Sequence, residues 1–167
     1  MTAVQVTFKI LADLDIIPPG YTEVTKIHLI FDIKIEDFRR KTRYVAGGHT
    51  LESPASLTYA SVVSRETFRI ALTMAALNNL EVKVGDIHNA YLTAPCTEKI
   101  CLRCGPEFGV NGGNRALVVR DLYGIKSARS AFRNHLADLM RTMGYESFLA
   151  CQDLWYKLMV LPEGGFK

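Results

Sequence analysis

The sequence predicts an α+β fold, an antiparallel sheet packed by helices, and three observations lead to it. Over residues 26–35, apolar and polar residues alternate with the two-residue period of a strand. Two later stretches, 64–78 and 127–143, carry apolar residues at the three- and four-residue spacing of a helix. Strand and helix patterns do not alternate strictly along the chain, and this argues against a parallel sheet built from βαβ units.

Composition sets the broad class of the protein. The chain has 167 residues, of which 49% are hydrophobic and 22% charged, so it can fill one sizeable core. Its formal net charge of +3 is too small to indicate a nucleic-acid partner by itself. No apolar stretch reaches membrane-spanning length, and the first 20 residues do not resemble a secretory signal. With four cysteines that suggest no disulfide framework, we expect an intracellular protein, cytoplasmic or nuclear, without a membrane partner.

The first predicted element after a leading segment, 1–17, is a β-hairpin. Pro18-Pro19-Gly20 separates the leading segment from the hairpin, whose strands span 26–35 and 42–46 with a turn at Glu36-Asp37. Four basic residues cluster just before the return strand and at its start: Arg39, Arg40, Lys41 and Arg43. Such a run is typical of a solvated face, and phosphate binding is the alternative.

A helix and a strand are predicted next. Ser64 is a good N-cap for a helix that runs to about Asn78, and apolar residues on both of its sides predict deep burial. Residues 80–84 alternate apolar and polar side chains, as in a half-buried strand. Asp86 ends this strand and opens the loop 85–91.

The remaining elements follow from local signals. Strands are predicted over 99–102 and 116–120, separated by a Gly- and Asn-rich loop. The helix 127–143 should end at Gly144, and a closing strand 154–160 precedes a tail, 161–167. Asp121, just after the second of these strands, is interpreted as a turn acceptor.

The loop at Asp86 has the composition of a site for a metal-bound phosphate. The Asp86 carboxylate would hold the cation, and the N–H groups of Asn89 and Ala90 could reach phosphate oxygens. Tyr91 would then lie against the sugar. An aspartate in this position is also typical of a simple turn or helix cap, so the loop alone does not decide between the two.

Taken together, these segments resemble the reverse transcriptase domain of copia-type LTR retrotransposons. Family-like runs occur in the family's order and at its spacing across residues 18–160. They are Pro18-Pro19-Gly20-Tyr21, Phe31-Asp32-Ile33-Lys34, residues 41–49 (KTRYVAGGH), residues 59–65 (YASVVSR), residues 85–95 (GDIHNAYLTAP), Pro106-Glu107-Phe108-Gly109, Leu122-Tyr123-Gly124-Ile125-Lys126 and Asp153-Leu154-Trp155-Tyr156.

The resemblance implies a polymerase fold with fingers at about 18–80 and a partial palm at about 81–160. In the family, the aspartate matched by Asp86 is one of three carboxylates that hold two Mg²⁺ ions, and the carbonyl matched by Ile87 is a further ligand. The ring matched by Tyr91 lies beneath the incoming sugar and rejects a ribose 2′-OH.

The same resemblance implies residues and partners for nucleotide binding. Lys41 and Arg43 would reach the triphosphate, while Gly124 and Lys126 would border the template and nucleotide pocket. The complete enzyme would act on an RNA or DNA template-primer with dNTPs, and it normally belongs to a longer Pol polyprotein.

Two runs of the sequence depart from the family's pattern, and a third run that is typical of the family does not occur in the sequence. Ser127-Ala128-Arg129-Ser130 replaces a frequent Gln-Ala-Pro-Arg run, and Cys151-Gln152-Asp153 replaces an Asp-Pro-Asp-like run. The Tyr-Val-Asp-Asp hairpin, which supplies the other two carboxylates, would follow Lys167, and the sequence contains no Asp-Asp dipeptide. Since one carboxylate cannot hold two divalent ions, we expect the chain alone not to polymerise DNA.

Two other interpretations stay open at this point. The chain could be a non-catalytic nucleic-acid-binding relic or interaction module that keeps the basic hairpin without the chemistry. Cys101 and Cys104, with Cys96 and His88 nearby, permit a zinc site, although strand alternation should point the first two thiols to opposite faces.

Overall fold

The structure, a computed structural model, is mixed α/β and describes residues 6–12, 15–24, 26–35, 38–48, 60 and 62–159. It divides into two compact units. The first comprises Met1–Tyr59 and Asn89–His135, and the second comprises Ala60–His88 and Leu136–Lys167. The expected boundary between fingers and palm, near residue 80, stays a prediction.

Short strands predominate among the regular elements of the described residues. The strands are β1 (Phe8–Ile10), β2 (Thr22–Val24), β3 (Ile27–Ile33), β4 (Arg40–Ala46), β5 (Ile100–Arg103), β6 (Arg115–Val118), β7 (Glu146–Ser147) and β8 (Trp155–Tyr156). The helices are α1 (Arg65–Leu77), α2 (Ala90–Thr93) and α3 (Ala128–Thr142), and a 3-10 segment spans Pro106–Asn111.

A four-stranded sheet forms the centre of the first unit. Its order is β1-β6-β5-β2, with β1 and β5 antiparallel to β6 and with β2 parallel to β5. The strands predicted over 99–102 and 116–120 are therefore confirmed. The leading segment does not stand apart from the domain, because its strand β1 pairs with β6 and buries Phe8.

Alternation along the strands distributes apolar side chains to two clusters. Ile100 and Leu102 belong to the larger cluster, whereas Cys101, between them, belongs to a smaller one with Leu117. The rings of Phe8, Tyr44 and Phe108 meet edge to face at centroid distances of 5.3–5.9 Å. The larger cluster also reaches Leu122, Ile125 and Ala128, so it fixes the chain that enters α3.

The predicted hairpin is confirmed as the antiparallel pair β3–β4, in register from Ile27↔Ala46 to Ile33↔Arg40. Its turn at Glu36-Asp37 lies outside the described residues. The base of the hairpin joins the core, where Ala46 is buried and Ile27 and Tyr44 pack against the same cluster. Farther out, Phe31 is 74% exposed.

The second unit contains α1, whose start is confirmed. The Ser64 side chain accepts a hydrogen bond from the Thr67 N–H at 3.1 Å, as an N-cap does. The prediction that this helix is deeply buried is wrong, because none of its residues is buried. Among the described residues of the second unit, Ala60 alone is buried. A helix that is apolar on both sides becomes buried only where other elements cover it.

The strand predicted over 80–84 is also wrong. The Leu80 N–H bonds back to the Ala75 carbonyl at 2.8 Å, and the residues that follow form no strand and are exposed. Val84 is 97% exposed. Alternation produces a strand only where a neighbouring strand satisfies the backbone, and no described strand pairs with this segment.

The second long helix and its stop are confirmed. Gly144 has φ +81°, its N–H bonds to the Arg141 carbonyl at 2.9 Å, and the Tyr145 N–H bonds to the Met140 carbonyl at 3.0 Å. These two bonds form a Schellman C-cap. The closing strand is shorter than predicted, since β8 pairs with β7 over two residues, and the tail 161–167 lies outside the described residues. Across the described ranges, no helix is both long and apolar enough to cross a membrane.

Candidate nucleotide site

The return strand of the hairpin presents Lys41 and Arg43 on one face, because residues two apart share a face of a strand. Lys41 lies opposite Asp32, and an Arg43 guanidinium nitrogen is 3.6 Å from an Asp32 carboxylate oxygen. The Arg43 side chain is 34% exposed and that of Asp32 55% exposed. An exposed pair of this kind contributes little to stability, so Arg43 can exchange its partner for a phosphate.

Two family-like segments meet where the hairpin ends. The Ala46 N–H bonds to the Tyr123 carbonyl at 2.8 Å, and Val45 forms a parallel bridge with Tyr123. A Cβ atom on Gly48 would overlap the Gly124 carbonyl, and one on Gly124 would overlap the Ala46 carbonyl. The two backbones are therefore in contact through glycines. Lys126 follows two residues later and is half-buried.

Tyr91 joins the same region through its ring. Asn89, in the left-handed region with φ +52°, begins the short helix that carries Ala90 and Tyr91. The Tyr91 ring meets Tyr123 at 4.9 Å between centroids and Phe132 at 6.2 Å, edge to face in both cases. These contacts hold the half-buried ring in a defined position.

Asp86 and Ile87 belong to the second unit, whereas the other predicted site residues belong to the first. Both residues are exposed, with Ile87 47% exposed. The first unit thus brings together the ends of three family-like segments, 41–48, 89–91 and 122–126. The predicted metal ligands are not among them.

The described residues do not fit a two-Mg²⁺ centre. Asp86 supplies two carboxylate oxygens, and no group of three or more His, Cys, Asp or Glu side chains in the described part of the chain could hold a metal ion. Two divalent ions need more carboxylates than one, because Mg²⁺ prefers six oxygen ligands and the paired ions repel each other.

Sequence reasoning missed a buried acid near these segments. Asp121, interpreted from the sequence as a turn acceptor, has no exposed surface, and neither of its carboxylate oxygens has a hydrogen-bond partner among the described residues. Burial, together with the nearby Glu98 carboxylate, raises the pKa of Asp121 to about 6, although a thiol contact from Cys96 opposes the rise. The only sequence signal for the burial of Asp121 is the apolar run that surrounds it.

The geometry does not support a zinc site at the paired cysteines. Cys101 and Cys104 are 1% and 3% exposed and lie in different core clusters. Burial raises the pKa of both thiols, and this disfavours the thiolate form that zinc binds.

No family model matches this chain, and no solved structure matches it significantly.

Proposed function

We propose that the chain is a fragment, the fingers and part of the palm, of a copia-type RNA-directed DNA polymerase. Its reaction in the complete enzyme is template-directed addition of deoxynucleotides to a primer 3′ end. The observation that carries the proposal is the ordered series of family-like runs over residues 18–160. The contact between Gly48 and Gly124 supports it, since two of these runs, far apart in sequence, meet there.

The first unit carries the nucleotide-binding part of the proposal. Lys41, Arg43 and Lys126 would supply positive charge to a triphosphate, and the backbone at Asn89 and Ala90 would approach the phosphates. The Tyr91 ring, held by Tyr123 and Phe132, would lie beneath the sugar.

The metal-binding part of the proposal rests on Asp86 and the Ile87 carbonyl. These two residues would contribute ligands to Mg²⁺ in the complete enzyme, and the remaining carboxylates would come from the rest of the Pol polyprotein. The 167-residue chain by itself is therefore expected to be inactive as a polymerase.

Two assays on the purified chain test the proposal. We expect no Mg²⁺-dependent primer extension, but we expect binding of a fluorescent dNTP that Arg43→Ala and Lys126→Ala each weaken by about tenfold, the loss of one charge-assisted contact. The control is Lys9→Ala, an exposed lysine of β1 outside the site. Equal affinity in all four proteins would overturn the nucleotide site. Extension that disappears in Asp86→Ala would overturn the expected inactivity.

Genomic sequence tests the assignment to this family independently. We expect DNA downstream of the Lys167 codon to encode an Asp-Asp hairpin, intact or lightly damaged. Unrelated coding sequence there would contradict the proposal.

The exposed hairpin favours a second candidate function, nucleic-acid binding without catalysis. Phe31 and Phe38 are 74% and 82% exposed beside the basic cluster, and exposed rings with cations suit single-stranded nucleic acid. Affinity for an oligonucleotide should then fall steeply with salt, less steeply in the double variant Arg40→Ala/Arg43→Ala, and should not depend on Mg²⁺. Binding that needs both Mg²⁺ and a dNTP would favour the polymerase fragment instead.

A further inference from the structure

Asp121 is a buried acid that the proposed function does not use. Its backbone N–H bonds to the Ala94 carbonyl at 3.1 Å, while its side chain is wholly enclosed and has no hydrogen-bond partner among the described residues. Buried carboxylates are normally paired or hydrogen-bonded, because an ionised one without partners is costly to keep away from water. The site is therefore built for the neutral acid better than for the anion.

Among the residues that the structure describes, no cation pairs with the Asp121 carboxylate. The titratable groups facing it are Cys96 and Glu98, in the segment 94–99. The Cys96 thiol donates to the Glu98 carbonyl at 3.3 Å, and the Glu98 carboxylate accepts from the Ser127 N–H at 3.2 Å and from the Ser127 hydroxyl. The adjacent Arg120 guanidinium donates to the Thr93 carbonyl at 2.9 Å.

The chain that follows Asp121 supports several contacts of the first unit. Leu122 is 2% exposed in the core, and the Tyr123 carbonyl accepts the Ala46 N–H at the end of the hairpin. The Tyr123 ring meets Tyr91, and Gly124 lies against the Ala46 carbonyl. A charge that forces Asp121 toward water would loosen these contacts together.

We propose that Asp121 is a protonation switch: while the acid is neutral, segment 94–99 packs closely on segment 121–127, and ionisation of the acid loosens this packing together with the hairpin end and Tyr91. This inference does not depend on the proposed function, because it uses only contacts within the first unit.

The direction of the pH effect follows from the pKa. The pKa of Asp121 rises from an ordinary 3.8 to about 6 in the folded protein. Stability from the neutral acid is therefore fully present below about pH 4 and is lost as the pH rises through about 6. Between pH 5 and pH 8 the equilibrium constant for opening should increase by about tenfold.

Hydrogen exchange at pH 5 and pH 8, corrected for intrinsic rates, tests the switch. We expect protection of the Ala46, Cys96 and Asp121 amides, which are hydrogen-bonded across these segments, to fall by about tenfold at the higher pH. The Leu11 amide, bonded to the Arg115 carbonyl at the other end of the sheet, should change less.

Asp121→Asn should abolish this pH difference in protection. At pH 8 the same amides should exchange more slowly in the variant than in wild type. The control Asp138→Asn removes an exposed carboxylate on α3, paired with Arg141, and should keep the wild-type pH dependence. The relevant quantity is the difference between wild type and Asp121→Asn, because it removes the pH effects that the two proteins share. An unchanged pH dependence in Asp121→Asn would overturn the proposal.

If Asp121→Asn does not fold, the wild-type protein still tests the proposal. The ¹³C carboxyl resonance of Asp121 should titrate with a midpoint near 6. A midpoint at or below about 4 would show that the anion is stable in the folded protein, which contradicts the switch.

Discussion

Gly124 shows how a single missing Cβ lets two distant segments touch. Its φ of +92° is open to glycine and unfavourable for other residues, and a Cβ there would also overlap the Ala46 carbonyl. The conformational strain and the overlap are separate costs. The overlap cannot be relieved by turning a side chain, because the atom opposite is backbone.

We expect Gly124→Ala to lower the free energy of unfolding by about 3 kcal/mol, from left-handed strain plus the steric overlap. Gly113→Ala is the matched control, since Gly113 has φ +91° and nothing within 4 Å of a built Cβ, so strain alone should cost about 1 kcal/mol. Urea denaturation of the three proteins measures both values. Equal losses in the two variants would mean that the close approach of the backbones does not contribute.

Asp121 illustrates what a residue's neighbours in sequence do not reveal. An aspartate after a strand is typical of a turn, and Asp121, three residues after the end of β6, fits that pattern. Its burial depends on the segment 94–99, more than twenty residues earlier in the chain. This segment contacts the chain that follows Asp121 through the hydrogen bond from the Ser127 N–H to the Glu98 carboxylate. Alternation, in contrast, correctly assigned Cys101 and Cys104 to opposite sides of the sheet, because that depends on local backbone geometry alone.

At the scale of elements, the local signals determined which predictions were confirmed. Ser64 caps α1, Gly144 ends α3, and alternation locates β3, and each of these signals acts within a few residues. Residues 80–84 carry an equally clear alternation but form no strand. A strand depends on a partner for its backbone, and the alternation of its own side chains carries no information about that partner.

Helix α1 should depend strongly on its cap because it has no buried residue. We expect Ser64→Ala to cost the helix about 1 kcal/mol and to reduce helix content, whereas Ser64→Asp should retain both, because aspartate can accept the Thr67 N–H. Far-UV circular dichroism and hydrogen exchange over residues 65–77 measure the effect. Equal exchange in Ser64→Ala and wild type would show that other contacts hold the helix.

At the scale of the whole molecule, the apolar residues are divided unevenly. The first unit encloses both core clusters, whereas in the described part of the second unit only Ala60 is buried. The predicted site residues are divided between the units as well. Sequence motifs could indicate each segment of the site, but they could not predict how Asp86 is placed, since that requires the packing of whole units rather than local patterns.

The apolar surface of α1 leads to a prediction about association. Ile70, Met74 and Leu77 lie on one stripe of the helix and are 61%, 54% and 77% exposed. A contiguous apolar surface of this kind favours contact between molecules, so we expect the chain to self-associate as its concentration rises. Sedimentation velocity over about 1–100 μM, a range that covers moderate affinities, should show a concentration-dependent increase in mass.

The double variant Ile70→Gln/Leu77→Gln should remain largely monomeric over this range, because glutamine keeps helix propensity while removing apolar surface. Val110→Gln is the control, since Val110 is 99% exposed in the 3-10 segment and does not belong to the stripe, so it should associate as wild type does. If Ile70→Gln/Leu77→Gln and Val110→Gln associate equally, the helix stripe is not the contact surface. If wild type is monomeric over the whole concentration range, the prediction is wrong, and the apolar stripe of α1 stays exposed to water without causing association.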